Sequence, residues 1–331
     1  VIALNTAGVW DAHSQRAEIG YLHYQHPGAG EVTGQGTVGF SGENLLERAK
    51  LTLSTIDLKT LSTIYVTPFL LGSAMEGLVL EGKLTADIAV IRQSLTECTL
   101  DFVPIDVSDA KGRFSLKGGT GAIHWSSDED FSKPSAIAWR QLQIYNLPVG
   151  PSKFSFLARA KSVELLEKTR LPFLDGYLTV DQFNWQARAQ TDSDVYFVGA
   201  VEQVSLEHLS EALNWTPLSG SISGRIPGVD YRDKKLTLSG ELLIDVFDGE
   251  IRIKDLASSG LFSDFPQLSA NIAVDNLDLY QLTRKFKFGG IEGRLSGFVH
   301  DLYLENWRAV SFYAWLGTPA NDDSRHRISQ K

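Results

Sequence analysis

Residues 235–254 read KLTLSGELLIDVFDGEIRIK. Leu236, Leu238, Leu242, Ile244, Val246, Ile251 and Ile253 alternate there with Lys235, Thr237, Ser239, Glu241, Asp245, Glu250, Arg252 and Lys254; only Leu243 breaks step. A period of two sends one set to each face of a sheet. Phe247-Asp248-Gly249 is a turn signal between two such runs. One apolar and one wet face per strand predicts an antiparallel, mainly β fold.

The same pattern recurs along the chain. Leu84, Ala86, Ile88 and Val90 alternate, as do Ala270, Ile272 and Val274, and then Ile291, Leu295 and Val299. Helical spacing is rarer. Val204 to Asn214 carries Leu206, Leu209 and Leu213, and Leu277 to Phe288 carries Leu279, Leu282 and Phe286, each a single apolar stripe. Asp57 to Tyr65, Ser162 to Thr169 and Asn44 to Lys50 are weaker helix candidates.

The two stronger helices belong to an internal repeat. With Leu206 set on Leu279, an offset of 73 residues, Leu209 meets Leu282, Leu213 meets Phe286, Trp215 meets Phe288 and Leu218 meets Ile291. Gly220, Ile222, Ser223 and Gly224 then meet Gly293, Leu295, Ser296 and Gly297. The best-marked copies span 204–229 and 277–302; looser ones span 56–80 and 162–180. Copies in one order predict one continuous array over 1–331, built by stacking units. Glycines inside strands suit bends that curl a sheet.

Composition narrows the function. Forty acidic against 31 basic residues disfavour binding to nucleic acid. A lone cysteine, Cys98, excludes a disulfide framework and a cysteine metal site. No run of ~18 apolar residues predicts a membrane helix. The opening Val1-Ile2-Ala3 has no charged leader, so the chain reads as a piece of a longer protein.

These residues resemble the AsmA-like superfamily of bacterial envelope proteins, which includes TamB-like and YdbH-type members. The run LDLYQLTRKFKFGGIEGRLSGFV at 277–299 looks like its repeat. Phe247-Asp248-Gly249-Glu250-Ile251, Asp301-Leu302, Trp307, Val310 to Ala314 and Arg327-Ile328-Ser329-Gln330-Lys331 look like the YdbH-type C-terminal region, also labelled a dicarboxylate transport domain. The resemblance covers residues 195–331. It implies a long, twisted, open sheet curled into an apolar groove, and phospholipid transport between inner and outer membranes. It further implies a periplasmic chain anchored by an N-terminal inner-membrane helix outside this sequence. A small outer-membrane lipoprotein would extend the sheet at its C-terminal edge.

Physical chemistry supports that expectation. Each exposed CH₂ loses ~0.8 kcal/mol, so a sixteen-carbon chain crossing water bare faces on the order of 10 kcal/mol. Roughly sixteen strands at ~4.8 Å spacing would make a trough roughly 75 Å long. The expected lining is Leu236, Leu238, Leu242, Ile244, Val246, Ile251, Ile253, Ile272, Val274, Ile291, Leu295, Val299, Phe312, Ala314 and Leu316. Periodicity alone favours a closed core for these residues; the repeat and the resemblance favour an open trough.

Other motifs read as structural. Gly34-Gln35-Gly36-Thr37-Val38-Gly39 matches a dinucleotide fingerprint, but Phe40-Ser41-Gly42 follows where a helix is required, so an edge strand is expected. His23 and His26, with Glu18 or Glu31, lack the ligands to complete a metal site. Asp128-Glu129-Asp130 reads as a solvated loop, and Arg284, Lys285 and Lys287 as a solvated helix face or a contact to anionic headgroups. The seven tryptophans cap the groove ends or pack under the repeat helices. No catalytic constellation and no cofactor site is expected. The rival functions are an envelope scaffold recruiting partners by strand addition, a carbohydrate-active solenoid and a dicarboxylate binder. The last would need basic residues inside the sheet, and the alternating pattern places none there.

Overall fold

The computed structural model describes residues 1–40, 45–55, 57–71, 76–188, 193–212, 220–260, 265–285, 289–306, 308–320 and 322–329. The chain divides into two compact units, Val1–Glu167 and Lys168–Lys331. Both are mainly β, with antiparallel sheets and short helices. Among the described residues no helix is long and apolar enough to cross a membrane.

In the first unit, β1 (Ala3–Asp11), β2 (Arg16–His26), β3 (Gly30–Gly39), β4 (Leu46–Thr55), β5 (Leu78–Ile91), β6 (Ser94–Asp109) and β7 (Phe114–Ser126) pair in chain order. Between β4 and β5 lie α1 (Leu58–Leu61), a π turn (Ser62–Val66) and α2 (Thr67–Leu70). β7 then divides its edge between β8 (Ser135–Trp139) and β9 (Gln141–Ile144). β10 (Leu147–Val149) pairs β9, and β11 (Ser152–Arg159) pairs β8 and β12 (Ser162–Leu165).

The second unit holds β13 (Thr169–Phe173), β14 (Gly176–Ala187), β15 (Ser193–Ser205), α3 (Leu206–Ala212), β16 (Gly220–Arg232), β17 (Lys235–Ser239) and β18 (Glu241–Val246). It continues with β19 (Gly249–Ser259), β20 (Gln267–Asp278), α4 (Leu279–Lys285), β21 (Gly290–Glu292), β22 (Arg294–Glu305), β23 (Arg308–Gly317) and β24 (Arg327–Ser329). The described strands number twenty-four, more than periodicity predicted, because β8–β10, β12, β13, β21 and β24 are short. At the ends of the chain, the partner of β1 among the described residues is β2, and that of β23 is β22.

The repeat is longer than its best-marked residues. The same 73-residue offset carries α3 onto α4, β14 onto β19 and β15 onto β20. Tyr177 pairs Glu202 as Glu250 pairs Asp275, and Val201 pairs Gly224 as Val274 pairs Gly297. Hydrogen bonds repeat too. The Gln203 amide donates to Ser223 Oγ at 2.9 Å, and the Asn276 amide to Ser296 Oγ at 2.8 Å. Ser205 Oγ accepts from the Glu207 amide and Asp278 Oδ1 from the Tyr280 amide, capping α3 and α4 at the same position. His208 reaches Asp175 as Gln281 reaches Asp248. The looser copy near 56–80 shares the plan: Asp57 caps α1, and Leu58 is buried beneath it.

Three helix or strand expectations change. Residues 162–169 are not helical; Val163 and Leu165 lie in β12, whose Leu165 pairs Phe156. The 162–180 copy is therefore β12, β13 and the start of β14, and Leu174-Asp175-Gly176 is the counterpart of Phe247-Asp248-Gly249. Leu46 to Lys50 is strand β4, because cross-strand partners on β3 and β5 outweigh a weak helical spacing. Gly34 to Gly39 lies in β3 as a strand, but an interior one with β2 and β4 beside it, not an edge. Leu213, Trp215, Leu218, Phe286, Lys287, Phe288, Trp307, Gln330 and Lys331 lie outside the described residues.

One turn is held electrostatically. Asp109, at the end of β6, receives Arg113 Nε at 2.8 Å and Nη2 at 2.9 Å. The Arg113 side chain chiefly lowers its pKa, from 3.8 to about 2. A lowered folded-state value adds stability that is complete above the ordinary carboxylate value and vanishes as pH falls through the lowered one. Asp109→Asn should thus lower the denaturant midpoint at pH 7 and flatten its decline between about pH 4 and 2. Chemical unfolding of both forms across that range checks this.

Candidate functional site: one apolar face

Register decides which side chains share a face, because residues directly opposite point the same way. In the second unit, Leu242 faces Ile253, Ile253 faces Ile272, Ile272 faces Val299 and Val299 faces Ala314. That is an unbroken apolar row across β18, β19, β20, β22 and β23. Ile222, Ile244, Ile251, Val274, Gly297 and Leu316 form the next row. Further along, Trp185, Val195, Tyr231 and Leu236 form a third, and Phe183, Phe197, Val229 and Leu238 a fourth. The opposite face near the first row carries exposed ion pairs, Arg252 with Glu250 and Lys254 with Glu241.

Burial divides the expected lining. Leu236, Leu238, Leu242, Ile253, Ile272 and Val299 are half-buried on this face, and Phe312, Ala314 and Leu316 are exposed on β23. Ile244, Ile251, Val274 and Leu295 instead pack against a small core of Leu206, Val246, Phe247 and Leu277, together with Leu209 and Leu282 of the helices. Val246 is only 5% exposed, so it belongs to that core and cannot line an open surface. Ile291 leaves the main sheet: it lies in β21 and pairs Ile328 of β24. The repeat helices thus seal one margin of the face, and the first, third and fourth rows lie beyond them.

The first unit has a matching face that the lining list missed. Leu4, Tyr24, Val32, Leu53, Ala86, Leu100 and Ile123 succeed one another across β1 to β7. Gly34, Leu51, Ile88, Cys98 and Trp125 run beside them. The alternation of Leu84, Ala86, Ile88 and Val90 was the signal available for it.

Little of this apolar surface is fully covered. Only seventeen hydrophobic residues are buried among those described, and the chain exposes 20300 Å². Two separate compact globules of half its mass each would expose about 16,000 Å².

The remaining motifs are placed as follows. His23 Nε2 lies 3.5 Å from Glu31, while His26 contacts Tyr65, and no described group of three His, Cys, Asp or Glu residues is placed to hold a metal. Asp128, Glu129 and Asp130 form an exposed turn. The Arg284 guanidinium lies 5.3 Å from the Tyr280 ring centre. Trp139 is buried and donates to the Gly150 carbonyl, Trp125 donates to the Ala160 carbonyl, and Trp10 and Trp315 are exposed.

The β23 edge is unusual. Phe312 is 59% and Tyr313 66% exposed, so apolar groups stand on both faces of a strand whose one partner among the described residues is β22. On the face opposite Leu316, Phe298 gathers His300, Tyr313 and Trp315 with ring centres 4.5 to 6.4 Å away. Comparison with known proteins finds no matching family model, no matching curated protein and no matching solved structure.

Proposed function

We propose that this chain is a non-enzymatic lipid-handling protein whose apolar face shields phospholipid acyl chains. The observation that carries the reading is the register-matched row from Leu242 to Ala314, half-buried and then exposed towards β23. A closed sandwich would bury such a row. A face open along one side, curled into a groove, would shield a chain and leave its headgroup in water. On this reading the protein works between the two membranes of a Gram-negative envelope, as part of a longer anchored bridge. Native mass spectrometry of the purified chain tests it. Bound phospholipid released by denaturation is expected; a lipid-free chain that gains none from vesicles contradicts it.

A second reading rests on β23. Its edge away from β22, which pairs no other described strand, and its exposed aromatic groups suit addition of a partner strand. A small lipoprotein extending the sheet there fits both readings. A scaffold alone would yield protein adducts and no lipid adducts from crosslinkers on the apolar face.

A further inference from the structure

Beneath α1 and the π turn, the first unit keeps a cavity of about 210 Å³ among Tyr24, Ala29, Val32, Leu53, Leu61 and Tyr65. The corresponding place in the second unit is filled by the Leu206–Leu277 core. Tyr24, Val32 and Leu53 are also consecutive members of the first unit's apolar row. The cavity is therefore continuous in sequence and register with the face just described.

Tyr24, Tyr65 and His26, which line it, turn their polar tips to one another. The Tyr24 and Tyr65 hydroxyls lie 2.6 Å apart, and His26 Nδ1 lies 2.7 Å from the Tyr65 hydroxyl. The His26 and Tyr65 rings meet edge to face, with centres 5.8 Å apart. These three polar tips satisfy one another, so the rings present carbon to the cavity and the wall is almost wholly apolar. A sealed apolar cavity of ~150 Å³ admits a benzene-sized guest; this pocket is larger and open on one side, so a chain end can enter it. The π turn that positions Tyr65 is a rare form found often at functional sites.

We infer that this cavity is a subsite for the methyl end of one acyl chain. The lining is almost wholly carbon, which disfavours the carboxyl or headgroup end. The inference rests on the lipid-handling reading for its choice of an alkyl guest.

The probe is 12-bromododecanoate, whose bromine marks the chain end, co-crystallised with the full chain. Anomalous scattering should place bromine between Val32, Leu53 and Leu61. In solution, Val32→Phe, which fills the space, should weaken binding of the same probe at least tenfold. Tyr65→Phe keeps the ring carbon and should change it less than threefold. Bromine outside the cavity, or unchanged binding by a folded Val32→Phe, overturns the subsite, as does a tenfold loss in Tyr65→Phe, which would mean that the hydroxyl reads a polar end. Bromine absent from the cavity of a chain that carries phospholipid refutes the subsite and spares the wider reading. Bromine in the cavity of a chain that carries none does the reverse.

Discussion

Ile253→Asp combined with Ile272→Asp should leave the sheet folded and remove most bound phospholipid, by a factor of five or more. These residues face each other at the centre of the Leu242 to Ala314 row. Two carboxylates there put charge where an alkyl chain would lie, and burying charge against hydrocarbon is strongly unfavourable. The row is half-buried, so folding should lose only about 1–3 kcal/mol. Ala273→Asp supplies the control. Ala273 is the next residue on β20, exposed on the opposite face beside Arg252. Circular dichroism and lipid phosphorus per chain read the two effects separately; equal lipid content in the double variant and the control would remove the apolar row from the account.

Gly297→Val should have the largest structural effect. Gly297 has a φ of +151° and lies between Val274 and Leu316. A Cβ there would stand 2.0 Å from the Trp315 carbonyl oxygen. Backbone cannot yield as a flexible side chain can, so β22 and β23 would have to separate. The expected loss is about 3 kcal/mol or more, from the strained backbone together with the broken pairing. Gly293→Val should be milder, because its Cβ would meet side chains and no backbone, the His326 ring at 3.0 Å and Leu279 at 3.7 Å, although its φ of +135° also disfavours a side chain. Hydrogen exchange should show amides of β23 losing protection first in Gly297→Val. Unchanged protection would refute the close-approach explanation.

Much of the fold was legible. Alternation from Leu236 to Ile253 located real strands, and the Leu206 to Leu279 offset located real helices. The repeat extends beyond its best-marked residues, because Leu174-Asp175-Gly176 forms a turn between β13 and β14. Its true counterpart, Phe247-Asp248-Gly249, shares the positive φ at Leu174 and Phe247. Helical spacing misled at Val163 to Leu166, where four residues fit either period and pairing with β11 decides.

The candidate site was half legible. Alternation assigns a residue to a face, but it does not say which part of that face a helix covers. Hence Ile244, Ile251 and Val274 looked equivalent to Leu242, Ile253 and Ile272, although only the former pack with the helices. Bulges were also invisible. The register shift between Lys254 and Ala257, at a positive-φ Asp255, keeps Leu268 and Ile272 on one face opposite residues of different parity. The Tyr24–Tyr65–His26 contacts depend on residues some forty positions apart, beyond any local pattern.

A photocrosslinking amino acid placed in turn at Ile272 and Ala273 gives the most direct test, because neighbouring β20 residues sample opposite faces of one strand. In cells or with vesicles, phospholipid adducts are predicted at 272 and not at 273. Equal lipid adducts at both positions, or protein adducts alone at 272, would contradict the assignment of this face to acyl chains.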